Sequence, residues 1–236
     1  MTTTTTTTTL TAPYKSYRRI EFEAQRLLSD YAREYEAIIE PPIPIEEILE
    51  RHLRLDLAIC DLRQVVGFDD VLGALCVERR EVMVDQSLDP DEFPELEGRF
   101  RFTLAHEIGH WQMHRRIYEH QRAGHGPPFV SRTSQANRRI ERQADIFAAC
   151  MLMPRPLVFQ LWRHILDGRI ITLAQLQPSR QAIIDDEIVR RRTVPETPEE
   201  EDNLMLDWAA LPLAEEFRVS AMAMRIRLEE LKLIVR

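Results

Sequence analysis

The chain has 236 residues, enough for one catalytic domain and a small appendage. With 44% hydrophobic and 30% charged residues it has an ordinary globular composition, and a net charge of −8 speaks against wholesale affinity for nucleic acid. Three scattered cysteines without a C-x-x-C exclude a disulfide framework, and no apolar run reaches the ~20 residues of a membrane span.

The first segment in chain order is a threonine run over residues 2–9. It offers nothing to bury, so residues 1–17 are expected to form a disordered tail. No charged-then-apolar signal precedes the fold, which with the reduced cysteines places the protein in the cytoplasm as an expectation. Ile20, Ala24, Leu27, Leu28, Tyr31, Tyr35, Ile38 and Ile39 fit one helical face and predict a helix ending before Pro41-Pro42. Pro44 then opens a short second helix through about His52, with Ile45, Ile48 and Leu49 inward.

Strand signals follow. Residues 55–62 partly alternate, residues 71–80 are apolar with Gly73 and Cys76, and residues 81–86 alternate around Val82 and Val84. Gly67 and Asp69-Asp70 mark a turn between the first two. The expected product is a small antiparallel sheet.

The next stretch holds His106-Glu107-Ile108-Gly109-His110, an H-E-x-x-H motif. Phe100, Leu104, Ile108 and Trp111 recur as one apolar stripe, so the stretch reads as a helix. On it His106 and His110 lie one turn apart on one face and reach a common ion. Glu107, about 100° round the helix, stands beside that ion, where it can take a proton from a bound water. This is the zincin arrangement of two ligands and a general base. A third protein ligand is needed. Position 116 is Arg, which excludes the metzincin spacing. His114 lies ~12 Å along the axis from His106, too far to share bonds of ~2 Å, and reads as a hydrogen-bonding neighbour.

Residues 115–140 are expected to be a loop, in which Tyr118, His120 and His125 are candidates to stabilise an oxyanion. A second helical stretch opens at Glu141 and stops at Pro154. Glu141 is the better third ligand. Asp145, one turn later on the same face, can accept the free N–H of a ligating histidine and hold its tautomer. Zinc suits two histidines and a glutamate, with manganese as the alternative. A small sheet on these helices offers an edge strand to an extended peptide, as zincin-like peptidases do, and Val82, Met83, Val84 and Asp85 are the candidates for substrate binding.

Beyond Pro154, residues 157–166 predict a further helix ending at Asp167-Gly168. Residues 193–203, rich in Pro and Glu, read as an exposed linker. The last 30 or so residues look like helix, turn, helix, with Ser220 as a cap and Ala221, Met224, Leu228 and Leu231 inward. Read as a DNA-contacting helix, this segment presents Arg225 and Arg227 but also Glu229 and Glu230, a poor mixture for phosphate binding.

Arg101-Phe-Thr-Leu-Ala-His-Glu-Ile-Gly-His110 with His114, and Glu141-x-x-Ala-Asp-x-Phe-Ala-x-x-Met-Leu-Met-Pro154, resemble the ImmA/IrrE family of zinc metallopeptidases. Pro41-Pro-Ile-Pro-Ile-Glu-Glu-Ile48 resembles the family's N-terminal entry, and residues 213–228 its C-terminal helix-turn-helix-like segment. The resemblance implies an α+β fold with a zincin-like core over residues 18–168. It also implies a C-terminal helical segment over residues 169–236, helix-turn-helix-like at about 211–236. It further implies a metal-dependent endopeptidase whose target is a helix-turn-helix transcriptional repressor, with cleavage derepressing stress or mobile-element genes. Two rival readings remain at this stage: a DNA-binding regulator acting through the C-terminal segment, and a toxin–antitoxin partner that keeps the fold without proteolysis.

Overall fold

Ser16 starts the first helix, α1 (Tyr17–Glu34), by accepting the Arg19 amide on its hydroxyl. The structure is a computed structural model that describes residues 13–67, 71–122 and 138–236. The threonine run lies outside those residues. The chain forms two compact units, Met1–Ala37 with Pro44–Met151, and Ile38–Ile43 with Leu152–Arg236.

In the first unit, α1 buries Ile20, Ala24, Leu27, Leu28 and Tyr31, the apolar face read from the sequence. It stops at Glu34, short of the predicted end. Tyr35 leaves helical geometry and donates its hydroxyl to the Arg51 carbonyl. α2 (Ile45–Glu47) widens into a π-turn through His52, with Ile45, Ile48 and Leu49 buried as the pattern required. β1 (Asp56–Cys60) leads into α3 (Leu62–Val66), a helix that the sequence reading had not separated from the strands. Asp61 caps α3 and Gly67, at φ 79°, ends it in the left-handed region. β2 (Gly73–Cys76) and β3 (Glu81–Asp85) form a hairpin.

The sheet is mixed, which corrects the expected antiparallel one. Its order is β1-β3-β2, with β1 parallel to β3 and β2 antiparallel to it. Alternating residues identify a strand but not its neighbour. Here α3 carries the chain across, so β1 and β3 run the same way. Leu62 and Val66 of α3 cover one face with Ala74, Cys76 and Met83. The other face carries Gly73, Leu75, Val82 and Val84. α4 (Glu97–Arg122) and α5 (Arg138–Leu152) complete the unit. α4 runs on past Arg115, where a loop had been expected.

The second unit contains α6 (Arg155–Leu166), β4 (Ile171–Thr172), α7 (Leu173–Leu176), α8 (Arg180–Arg191), α9 (Pro198–Phe217), α10 (Ala221–Glu230) and β5 (Ile234–Val235). The expected linker over residues 193–203 is in part the start of α9. Thr197 caps it, Pro198 takes the first position, and Glu199, Glu200 and Glu201 fill the first turn, where the helix dipole favours acids. Ser220 caps α10 through the Ala223 amide, as predicted. α9 and α10 pack together, and β4 pairs with β5 in parallel.

Arg225 and Arg227 are not presented to solvent. Arg225 donates to Asp207 at 2.6 Å and to Glu229 at 3.0 Å, while the fully buried Arg227 donates to the Met153 carbonyl. Arg191 bonds Asp207 from the other side, and Glu187, fully buried, accepts from Arg190 and Arg191. Among the described residues, no single helix is long and apolar enough to cross a membrane.

Candidate active site

Every residue of α4 from 104 to 111 is buried. Phe100, Leu104, Ile108 and Trp111 supply the predicted apolar stripe. The remaining faces of the same turns carry His106, Glu107, His110 and His114, each at most 3% exposed. Such polar groups persist inside a protein only when partnered or when they serve a ligand.

Gly109 sets the distance to the second helix. A Cβ placed on it would lie 3.2 Å from Phe147 and 3.3 Å from the Ala144 backbone, so α5 approaches α4 at a point where neither has bulk. α5 buries Ile140, Ala144, Phe147, Ala148 and Met151. That seating turns Glu141 and Asp145 toward the histidines.

The structure brings together four of the residues singled out. The Nε2 atoms of His106 and His110 are 2.9 Å apart, and Glu141 Oε2 lies 3.2 Å from the first and 3.6 Å from the second. His106, His110 and Glu141 together could hold a metal ion. On the far side of its ring, His106 Nδ1 is 2.9 Å from Asp145 Oδ1. Each nitrogen of His106 thus faces a carboxylate, and with an ion held at Nε2 it is Nδ1 that would donate, to Asp145.

A divalent ion fits this cluster. Ligand atoms ~2 Å from a tetrahedral ion stand ~3.3 Å from one another, close to the three separations found. Burial works to raise the Glu141 carboxyl's pKa. The neighbouring His106 and His110 outweigh it and hold the group well below the usual carboxylate range. Its Oε1 is buried without a hydrogen-bond partner among the described residues. A partly buried carboxylate with one unpartnered oxygen beside two ring nitrogens suits a cation.

Glu107 faces the sheet. A Cβ on Gly73 would lie 2.9 Å from Glu107 Oε1 and 2.5 Å from Thr103 Cγ2, so only glycine leaves the carboxylate its place. Sequence reasoning did not assign this role to Gly73, although a glycine inside a strand is a known sign of close approach. The substrate candidates Val82, Met83, Val84 and Asp85 need correction. They form β3, the central strand, whose two edges are taken by β1 and β2. Val82, Met83 and Val84 are buried, and the Asp85 carboxylate accepts the Leu62 and Ser87 amides. The strand beside Glu107 is β2, which pairs only with β3 among the described residues.

His114 Nδ1 is 3.3 Å from His110 Nδ1, and its Nε2 is 2.9 Å from Gln143 Oε1. Burial pushes the His114 ring down from 6.5 to about 4. Tyr118 is buried with its hydroxyl 3.3 Å from His110 Nδ1. Burial pushes its phenol well above the ordinary range. The side chain of His120, and His125, lie outside the described residues. Gln143 escaped the sequence reading, since a glutamine on a helix carries no signal of its own.

No curated protein matches the chain. Residues 95–176 match the family model described as IrrE N-terminal-like domain, Peptidase_M78. The stretch that carries α4, α5 and all four clustered residues is therefore similar to the IrrE N-terminal-like domains of Peptidase_M78.

Proposed function

We propose that the chain is a metal-dependent endopeptidase that cuts a helix-turn-helix transcriptional repressor. The observation that carries the reading is the convergence of His106 Nε2, His110 Nε2 and Glu141 Oε2, with Asp145 holding His106 from behind. In this reading His106, His110 and Glu141 hold the ion. Zinc is the ion proposed, since two imidazoles and one carboxylate suit it, with manganese as the alternative. When bound, such an ion supplies Lewis-acid polarisation of the scissile carbonyl and activates water near neutral pH.

The protein's own groups do the rest. Glu107, next to His106 on α4 and packed against Gly73, takes the proton of the attacking water and passes it to the leaving amine. The edge of β2 that is unpaired among the described residues lines up an extended peptide by backbone pairing, in place of the β3 residues. An edge of this kind accepts only an extended strand, so a folded repressor must offer a flexible linker or open locally. Three free cysteines suit the cytoplasm, where such a target would lie. The C-terminal helix-turn-helix-like pair, α9 and α10, is read as packing or partner-binding structure. Arg225 and Arg227 are engaged internally, so no observation favours DNA contact.

The test is to incubate metal-loaded protein with the repressor encoded beside it, with and without chelator, and with casein as a generic substrate. One or a few chelator-sensitive cuts in the repressor are expected, with little digestion of casein. Rapid digestion of casein with the repressor intact would make this a general peptidase. Cleavage that survives in Glu107→Gln would remove the general base. No cleavage at all, with metal bound, would favour the non-proteolytic toxin–antitoxin reading.

A further inference from the structure

The second unit carries a cavity of about 520 Å³ that the peptidase reading leaves unused. Leu157, Gln160, Leu161 and His164 of α6 line it, at the spacing that brings side chains onto one helical face. Another face of α6 sends Val158 and Trp162 into the core. Pro41 and Glu40, from the 38–43 segment, and Glu216, in the last turn of α9, complete the lining. Leu157, Leu161 and Pro41 give an apolar floor, while Glu40 and Glu216 are exposed. The lining holds two carboxylates and neither lysine nor arginine. Elsewhere in the unit, Glu187, Glu201, Asp202 and Asp207 are each met by arginine. Glu40 and Glu216 have no such partner among the described residues. Glu216 also stands where the helix dipole disfavours an acid, in a turn without a basic residue. A cation in the cavity would offset both.

The cation is not a bare metal ion. Among the described residues only His106, His110 and Glu141 gather three ligand atoms within 4.8 Å of one another, so Glu40, His164 and Glu216 do not enclose one. We propose that the cavity binds the arginine side chain of a partner peptide. A guanidinium spreads its charge over five donors in a plane and can serve both carboxylates, while its methylenes lie on the apolar floor. A lysine ammonium is a compact, strongly hydrated charge and serves one carboxylate at a time. Free arginine brings a carboxylate of its own, which the two glutamates repel, so the occupant is arginine within a chain. The site lies wholly in the second unit and stands apart from the metal reading.

Calorimetric titration of the full chain with the capped tripeptide acetyl-Ala-Arg-Ala-amide tests this. One peptide per chain should bind, less tightly as salt rises. The citrulline peptide, of the same shape without the charge, should bind at least about tenfold more weakly. The lysine peptide and free arginine should also bind more weakly. Glu40→Gln and Glu216→Gln should each cost about 3–10-fold, the span from an exposed to a charge-assisted contact. Gln160→Arg sets a guanidinium in the cavity from an exposed position and should block the peptide. Glu199→Gln, at the other end of α9, should change nothing. All four positions are exposed, so each variant should melt like the wild type. No binding, or equal binding of the citrulline peptide, overturns the site. An equal loss in Glu199→Gln overturns it as well, since the attraction is then general charge. Lysine or free arginine binding as tightly as the arginine peptide overturns the choice of occupant.

Discussion

The two units each bury a polar cluster, and the clusters differ in kind. In the second unit, Glu187, Asp207, Arg191 and Arg225 alternate in sign, and each carboxylate is met by guanidinium donors. In the first, two Nε2 atoms lie 2.9 Å apart, with a carboxylate oxygen 3.2 Å from one of them and its fellow oxygen unpartnered among the described residues. The first pattern closes on itself and needs nothing from outside. The second leaves an acceptor over, and could hold a cation there. Burial and charge are common to both, so neither alone marks a functional site. The balance of donors and acceptors does.

The comparison can be tested by substitutions on each side. The largest effect is expected at Glu107. Glu107→Gln should keep metal and fold and lose about 10²–10⁴ in cleavage rate, as measured on the proposed repressor substrate. Near-normal turnover would take the residue out of the chemistry. Glu141→Ala comes next. The wild-type protein should hold about one ion per chain by elemental analysis, and this variant should lose at least about 100-fold in affinity, more than second-layer changes usually cost. Full metal retention would show the two clusters to be of one kind after all.

On the other side, Asp207→Ala takes one carboxylate from Arg191 and Arg225, which keep Glu187 and Glu229, and should cost about 1.5–3 kcal/mol of unfolding free energy in urea, with the ion stoichiometry unchanged. A loss of metal without a loss of stability would invert the contrast.

Acid should separate the clusters further. Burial depresses the His114 ring to about 4, while the unfolded chain titrates near 6.5. The unfolded state therefore binds the proton more readily. The contribution is complete above pH 6.5 and is lost as pH falls through 4, about 3 kcal/mol in all. Metal-free His114→Phe should show a correspondingly shallower fall in stability over that window. The smallest effect belongs to Gly73→Ala, where Thr103 and Glu107 must give way. The variant should keep its ion and lose about tenfold in rate, under the 10²-fold that 1 Å of misplacement can cost. An unchanged rate would mean that Glu107 does not need its present position.

Much of the site was legible in the sequence because it is helical and local. Spacing of four on α4 puts His106 and His110 on one face whatever surrounds them, and the same spacing pairs Glu141 with Asp145 on α5. The apolar stripe of Phe100, Leu104, Ile108 and Trp111 likewise followed from the helical repeat. Strand arithmetic is weaker. Alternation located β3 but could not say that it lies in the middle, so the residues offered as a free edge belong to a strand paired on both sides. The acidic run before α9 looked like linker because its cap, Thr197, is recognisable only once the helix behind it is known.

By itself, then, the sequence determined which residues share a helical face, because the α-helix translates spacing directly into direction. Only the tertiary structure decided what those faces meet. Pro13 reaches Gln143 across 130 residues, Gly73 makes room for Glu107, and Gly109 lets α5 come close enough to add Glu141. Such contacts depend on the packing of several elements at once, and no spacing within one of them encodes the partner.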